Sequence, residues 1–119
     1  MDTKTLHTTL TQLKGSDPHV VSVSVVSPDG LILASTHTQK ESAELIGAMV
    51  SEVLQKSHLA LEELRLGKLI STLILGTSGG VIAYSINEEM ILAVEVKPQV
   101  HLGNLFRNIT SVVQRFKEF

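Results

Sequence analysis

The sequence predicts an α+β fold, an α/β/α sandwich with a five-stranded antiparallel sheet between a central helix on one face and the terminal helices on the other, in the order α-β-β-α-β-β-β-α. Three observations carry this expectation. Glu41 to Leu61 repeats its apolar residues with the period of a helix. Three β-rich runs follow, separated by turns short enough for an antiparallel meander. Apolar residues make up 43% of the chain but aromatic residues only 3%, which leaves a Val, Ile and Leu core suited to a β-rich or mixed architecture.

Asp2 is placed to cap a first helix whose apolar positions, Leu6, Leu10 and Leu13, recur at four and three residues, with Gly15 as its stop. That stripe is narrow, so the helix lies on a surface. Ser16-Asp17-Pro18 is a connector, because Pro18 pushes Asp17 out of helical geometry. From Val20 to Ser27, Val21, Val23 and Val25 alternate with Ser22 and Ser24, the period of a strand, and the small Ser side chains imply close packing on their face. Pro28-Asp29-Gly30 is a turn, with Pro setting φ at the first corner and Gly taking the positive φ. Leu31 to Ser35 returns as the hairpin partner.

Thr38 is the expected N-cap of the central helix, in a capping box with Glu41. Ala43, Ile46, Gly47, Met49, Val50, Val53, Leu54, Ser57, Ala60 and Leu61 then fall on one arc, roughly twice the ~100° stripe that a helix needs to lie on one sheet. The second half must meet another part of the chain or another protein. Gly47 costs ~1 kcal/mol against Ala inside a helix, which calls for a packing reason such as the close approach of another backbone. The helix ends between Leu59 and Leu66, with Gly67 offering a left-handed stop.

The β-rich runs are Lys68 to Leu75, Val81 to Asn87 and Met90 to Val96, joined through residues 76–80 and 87–89. Unless the first hairpin pairs with it, Lys68 to Leu75 lies at a sheet edge, where an unprotected apolar strand invites pairing with another chain. The last two runs alternate little, as expected of strands covered on both faces. Lys97-Pro98-Gln99 ends the sheet. From Leu102, apolar residues through Leu105, Phe106, Ile109, Val112, Val113 and Phe116 recur at helical spacing almost to Phe119.

At 119 residues the chain is expected to form one domain, 1–119, with a core that needs no metal or disulfide staple. The lack of cysteine fits a reducing compartment, cytoplasmic by default. The first residues lack the apolar region of a signal peptide, and no run approaches the ~18 apolar residues of a membrane span. Ten Lys and Arg stand against 12 Asp and Glu, and the basic residues are scattered singly from Lys4 to Lys117, so no nucleic-acid partner is expected. The five histidines, His7, His19, His37, His58 and His101, show no ligand or His-carboxylate spacing, so no metal is expected either. Glu62-Glu63 and Glu88-Glu89 are expected at solvated helix and hairpin ends. Gly79-Gly80 joins two strands and is a hairpin, not a phosphate loop. With no cofactor motif and no nucleophile-base pair, the protein is not expected to be an enzyme.

The run Val23-Ser24-Val25-Val26-Ser27-Pro28-Asp29-Gly30-Leu31 with the following LILAS, the ELIGAMVSEVL helix, Gly67-Lys68-Leu69-Ile70, Gly79-Gly80-Val81-Ile82-Ala83-Tyr84, Met90-Ile91-Leu92-Ala93-Val94 and Leu102-Gly103-Asn104-Leu105 together resemble the Roadblock/dynein light-chain family, in particular its prokaryotic MglB-like members, over essentially the whole length. No single motif is diagnostic; their order and spacing are. The resemblance implies a dimer in which the central helix and third strand pair across a two-fold axis. It places Ala43, Ile46, Gly47, Val50, Leu54, Ile70, Thr72 and Ile74 at that interface. It also implies a non-enzymatic regulator or scaffold of a Ras-like small GTPase, MglB-like members stimulating GTP hydrolysis by their partner and other members serving as adaptors in dynein or lysosomal complexes. The chain departs from the longer MglB proteins by ending at Phe119, so the functions of their extended tails are not carried over. An arginine finger would need an accessible loop, whereas Arg65 lies near the end of the central helix and Arg107 and Arg115 lie in the third; stimulation is therefore expected to work by positioning. The competing readings are a purely structural adaptor and a profilin- or PAS-like domain sensing a small ligand, the latter disfavoured by a core with few polar candidates.

Overall fold

In the computed structural model, which describes residues 2–117, the chain runs α1 (Thr3–Gly15), β1 (Val20–Val26), β2 (Ile32–Ser35), α2 (Lys40–Glu63), β3 (Ser71–Gly76), β4 (Gly79–Ser85), β5 (Ile91–Val96) and α3 (Leu102–Lys117). The end of the expected third helix, beyond Lys117, lies outside the described residues. The strands form one sheet in the order β2-β1-β5-β4-β3, and every neighbouring pair is antiparallel. The meander β3-β4-β5 leaves the far side of β5 open, and the first hairpin fills it through β1. This puts β3 at one edge.

Strand alternation sends two sets of side chains to two different helix layers. Val23, Val25, Ile82, Leu92, Val94 and Val96 join Leu10 and Leu13 of α1 and Leu105, Ile109, Val112 and Phe116 of α3 in the larger core. On the other face Val26, Ala83, Ile91 and Ala93 pack with Val50 and Leu54 of α2 and with Leu69. Ser22 and Ser24 are buried with satisfied hydroxyls: Ser22 Oγ donates to Glu95 Oε1 at 3.0 Å, and Ser24 Oγ shares a hydrogen with Ser35 Oγ at 2.8 Å. The sandwich, with α2 alone on one face, is the one expected.

Helix ends are where local chemistry and structure part company. Asp2 does cap α1, accepting the Thr5 N–H at 2.7 Å. The Thr38–Glu41 capping box does not form. Gln39 is the N-cap of α2, extended at φ −108 and ψ 126 and without a side-chain cap bond, because the first helical bond runs from the Ala43 N–H to the Gln39 carbonyl and starts the helix one residue later. At the other end Arg65, not Gly67, makes the first left-handed turn, at φ 56. The Arg65 N–H donates to Glu62 O at 3.1 Å and the Leu66 N–H to Leu61 O at 2.9 Å, the paired bonds of a Schellman motif. Gly67 takes a second positive φ, 91, as the chain reverses toward β3. Residues 68–70 belong to this connection, so β3 starts later than its sequence run suggests.

Gly47 has the backbone neighbour that its place in a helix implied, and that neighbour belongs to the same chain. A Cβ on Gly47 would collide with the Gly30 carbonyl oxygen in the β1–β2 turn. Gly30 is itself at φ 92, and Ser51 Oγ donates to Pro28 O at 2.7 Å, so the turn is strapped onto α2 at neighbouring points. Two backbones in contact cannot admit a methyl group without separating. Gly47→Ala should therefore lose roughly 1–3 kcal/mol in chemical denaturation despite the ~1 kcal/mol gained in helix propensity. Arg65→Gly should do the reverse, stabilising by about 1 kcal/mol because only the side chain disfavours the left-handed turn. A stabilised Gly47→Ala variant would show that the turn is free to move off the helix.

Candidate interaction surface on the edge strand and central helix

β3 hydrogen-bonds only to β4, so its outer N–H and C=O groups have no strand partner among the described residues. Proteins usually blunt such an edge with charge, proline, shortness or a bulge. β2, the opposite edge, is only four residues long and adjoins a register break between Val25 and Val26. β3 has six residues, Ser-Thr-Leu-Ile-Leu-Gly, in unbroken register with β4 and without a charge or a proline. Leu73, Ile74 and Leu75 are exposed along it. Thr72 and Ile74, opposite Ala83 and Val81, point to the α2 face; Leu73 and Leu75, opposite Ile82 and Gly80, point to the other.

Beside β3 runs the outer half of α2. Thr72 Oγ1 donates to Ser57 Oγ at 2.8 Å and ties strand to helix. Further along, Ile46, Met49 and Val53 line an apolar groove with Ile74 and Val81. Leu45 and Met49 stand out of the helix at 62% and 47% exposure; Leu59 in its last turns and Leu64 and Leu66 past its end are exposed as well.

The eight interface residues named from sequence divide accordingly. Ile70 and Ile74 are exposed, while Ile46 and Thr72 are half-buried at the seam between helix and strand. Ala43, Gly47, Val50 and Leu54 face inward and are buried within the protomer. The wide arc is split lengthwise: one half is taken by the chain's own sheet and turn, and only the other half is open to a partner. Leu45, Met49 and Val53 lie on the open side instead. The i, i+4 pair Leu45–Met49, continued by Val53, was a readable signal for that side.

Three polar side chains meet where Ser22 Oγ and His37 Nε2 lie 3.0 and 3.3 Å from the same Glu95 Oε1. The sequence shows no His-carboxylate spacing for any of the histidines. His37 is largely buried against Glu95, far away in sequence, because β1 pairs with β5 and carries the end of β2 alongside. His37 Nε2 makes no aligned hydrogen bond with Glu95, so the contact is one of charge and dipole. The Ser22 hydroxyl donates to the carboxylate and is itself buried, 2% exposed, so it is turned into the protein and away from any substrate in solvent. Elsewhere His19 Nδ1 lies 3.0 Å from Asp17 Oδ1. Among the described residues no three His, Asp or Glu side chains gather to hold a metal ion, and no helix is long and apolar enough to cross a membrane. Arg65 is exposed in the α2–β3 connection, whereas Arg107 and Arg115 are exposed on α3.

Residues 6–95 match the model of the Roadblock/LC7 domain. An uncharacterized protein of Methanocaldococcus jannaschii is 31% identical over 93 residues, covering 78% of this chain and 81% of the relative. Among solved structures, a Roadblock/LC7 domain from Streptomyces avermitilis superposes with a TM-score of 0.89 at 18% identity, over 94% of each chain. MglB of Myxococcus xanthus superposes with a TM-score of 0.88 at 11% identity, over 99% of this chain and 96% of its own.

The split of the arc can be tested with one charge at two adjacent positions. Val50→Glu buries a carboxylate under α2 and should cost more than ~3 kcal/mol or unfold the chain. Met49→Glu places the same group on the outer half and should leave the protomer folded. Urea denaturation followed by circular dichroism separates the two; equal losses would mean that both halves of the arc are needed inside the protomer.

Proposed function

The chain belongs to the Roadblock/LC7 domain family, and from that premise we propose that it is a non-enzymatic, cytoplasmic homodimer that regulates or scaffolds a Ras-like small GTPase. The observation that carries the dimer is the uncharged edge of β3 lying beside the apolar outer half of α2. Antiparallel pairing of two β3 edges would satisfy the open backbone groups of both and join two sheets into one. A two-fold axis normal to the sheet keeps faces matched, so the two α2 helices would lie side by side and cover Leu45, Met49, Val53 and Ile74. Pairing and apolar burial then act together, as in stable homodimer interfaces.

The rest of the α2 layer is the platform for the GTPase. Its polar side is acidic, with Glu41, Glu44, Glu52, Glu62 and Glu63 against Lys40 and Lys56. A GTPase presenting basic residues would be drawn to it. Stimulation of hydrolysis would work by holding the GTPase's own groups in the competent arrangement, which requires tighter binding to that state. Arg107 and Arg115 belong to α3, on the sheet's other face. The Arg65 backbone is pinned in a tight turn, not carried on a long loop.

Light scattering at micromolar concentration should give the mass of a dimer, and Met49→Glu should give a folded monomer that no longer engages the GTP-loaded partner. Purified protein alone should not hydrolyse GTP. With a Ras-like GTPase present, Arg65→Ala, Arg107→Ala and Arg115→Ala should each keep any stimulation within about twofold of the parent, far from the ~10³ to 10⁵ supplied by an arginine finger. A monomeric parent removes the dimer, and loss of stimulation at unchanged affinity in one variant makes that arginine a finger and removes positioning.

A further inference from the structure

We propose that the layer formed by α1 and α3 is a second docking surface, one that takes an acidic polypeptide segment of a partner protein. The chain as a whole is slightly acidic, at −2, yet its charge is unevenly divided between the two faces of the sheet. α1 and α3 carry Lys4, Lys14, Arg107, Arg115 and Lys117 and no Asp or Glu among their described residues. The helix on the opposite face carries five glutamates against two lysines. All five cations of the α1–α3 layer are exposed, and none pairs with a carboxylate among the described residues. The described acids that flank α1 are Asp2, which accepts the Thr5 N–H, and Asp17, which accepts the His19 N–H, and neither forms an ion pair with these cations.

The layer also has a shape. The two helices run antiparallel: Asn108 Nδ2 donates to Ser16 Oγ at 3.4 Å near one end of the pair, and Arg115 Nη1 to Gln12 Oε1 at 3.3 Å further along. Between them lies a groove of about 330 Å³ lined by Lys4, Thr5, Thr8, Thr9, Gln12 and Arg115. Gln12 already holds Arg115 across the groove, which orients a guanidinium whose remaining N–H groups can take a carboxylate in a two-pronged bond. The Thr8 hydroxyl and the Gln12 amide offer hydrogen bonds suited to a peptide backbone. Single cations separated by uncharged polar groups match single carboxylates along a peptide.

Charge alone would also attract a lipid surface or a nucleic acid, but the layer suits neither. Among the described residues none of the exposed large apolar side chains lies on α1 or α3, so the described layer offers no apolar side chain to a bilayer. The described aromatic residues of α3, Phe106 and Phe116, are half-buried and buried and cannot stack on bases. The proposal does not depend on the dimer or on the GTPase, since its surface is on the other face of the sheet.

The full chain, labelled with nitrogen-15, is titrated with a peptide of alternating Glu and Ala and with its Gln-Ala counterpart. The acidic peptide should move amide resonances of α1 and α3, should lose at least ~tenfold in affinity when salt rises enough to shorten the Debye length to a few ångströms, and should outbind the neutral peptide. Combined Lys4→Glu and Arg115→Glu should weaken it on the order of tenfold at an unchanged melting temperature, the several charges acting as a network. Combined Lys40→Glu and Lys56→Glu on α2 should leave it unchanged. Equal binding of the two peptides, or shifts centred on α2, would overturn the proposal. So would tighter binding to phosphatidylserine vesicles or to single-stranded DNA, which would assign the layer to a lipid or a nucleic acid.

Discussion

The contact between the Gly30 and Gly47 backbones governs how the rest of this protein is used. It brings the β1–β2 turn directly onto α2, and the Ser51 hydroxyl on the Pro28 carbonyl prevents the helix from rolling about that point. Once the roll is set, Val50 and Leu54 must point to the sheet, and Leu45 and Met49 must point away from it. The small residues beneath, Ala83 and Ala93, allow the same close approach. A methyl group at either glycine would tilt the helix and move the boundary between the chain's own core and the surface it offers to others.

That boundary gains its meaning from the sheet order. β5 pairs on both sides and is buried, whereas β3 is left with one open side. The two edges are treated differently: β2 is short and lies next to a register break, while β3 is longer, regular and uncharged. An open, apolar, regular edge is an aggregation hazard unless something covers it. The apolar half of α2 runs beside it, so a partner covering one would cover both. The polar cluster of Ser22, His37 and Glu95 lies under the same face but is committed inward, its serine buried and donating to the Glu95 carboxylate. It fastens β1, β5 and the end of β2 together.

The two helix layers differ in more than number. α1 and α3 bury their apolar stripes almost completely and show solvent a polar, cationic surface; α2 leaves apolar residues exposed among glutamates. A protein with one apolar-acidic face and one polar-basic face can hold two unlike partners at once, since neither competes for the other's surface.

Much of this was legible in the chain. Periods of two and of three to four residues are local properties, so strands and helices could be located, and short turns between β-rich runs pointed to an antiparallel meander, whose third strand lies at an edge only because the first hairpin pairs with β5. The width of the arc on α2 and the glycine inside it announced two contacts where one would suffice, and the order of motifs named the family. What periodicity could not do was divide the arc. Ala43, Gly47, Val50 and Leu54 carry the same apolar signature as Met49 and Val53, and only the β1–β2 turn at Gly30, some residues away in sequence, decides which of them face inward. The same holds for Arg65, whose left-handed turn comes from the chain's need to reverse toward β3, for His37, which meets Glu95 only because β1 lies beside β5, and for the five cations of α1 and α3, scattered in sequence and gathered only when both helices pack on one face. Each is a contact between segments distant along the chain, and the free energy that selects it belongs to the packed sheet, not to any stretch of residues that could be read by itself.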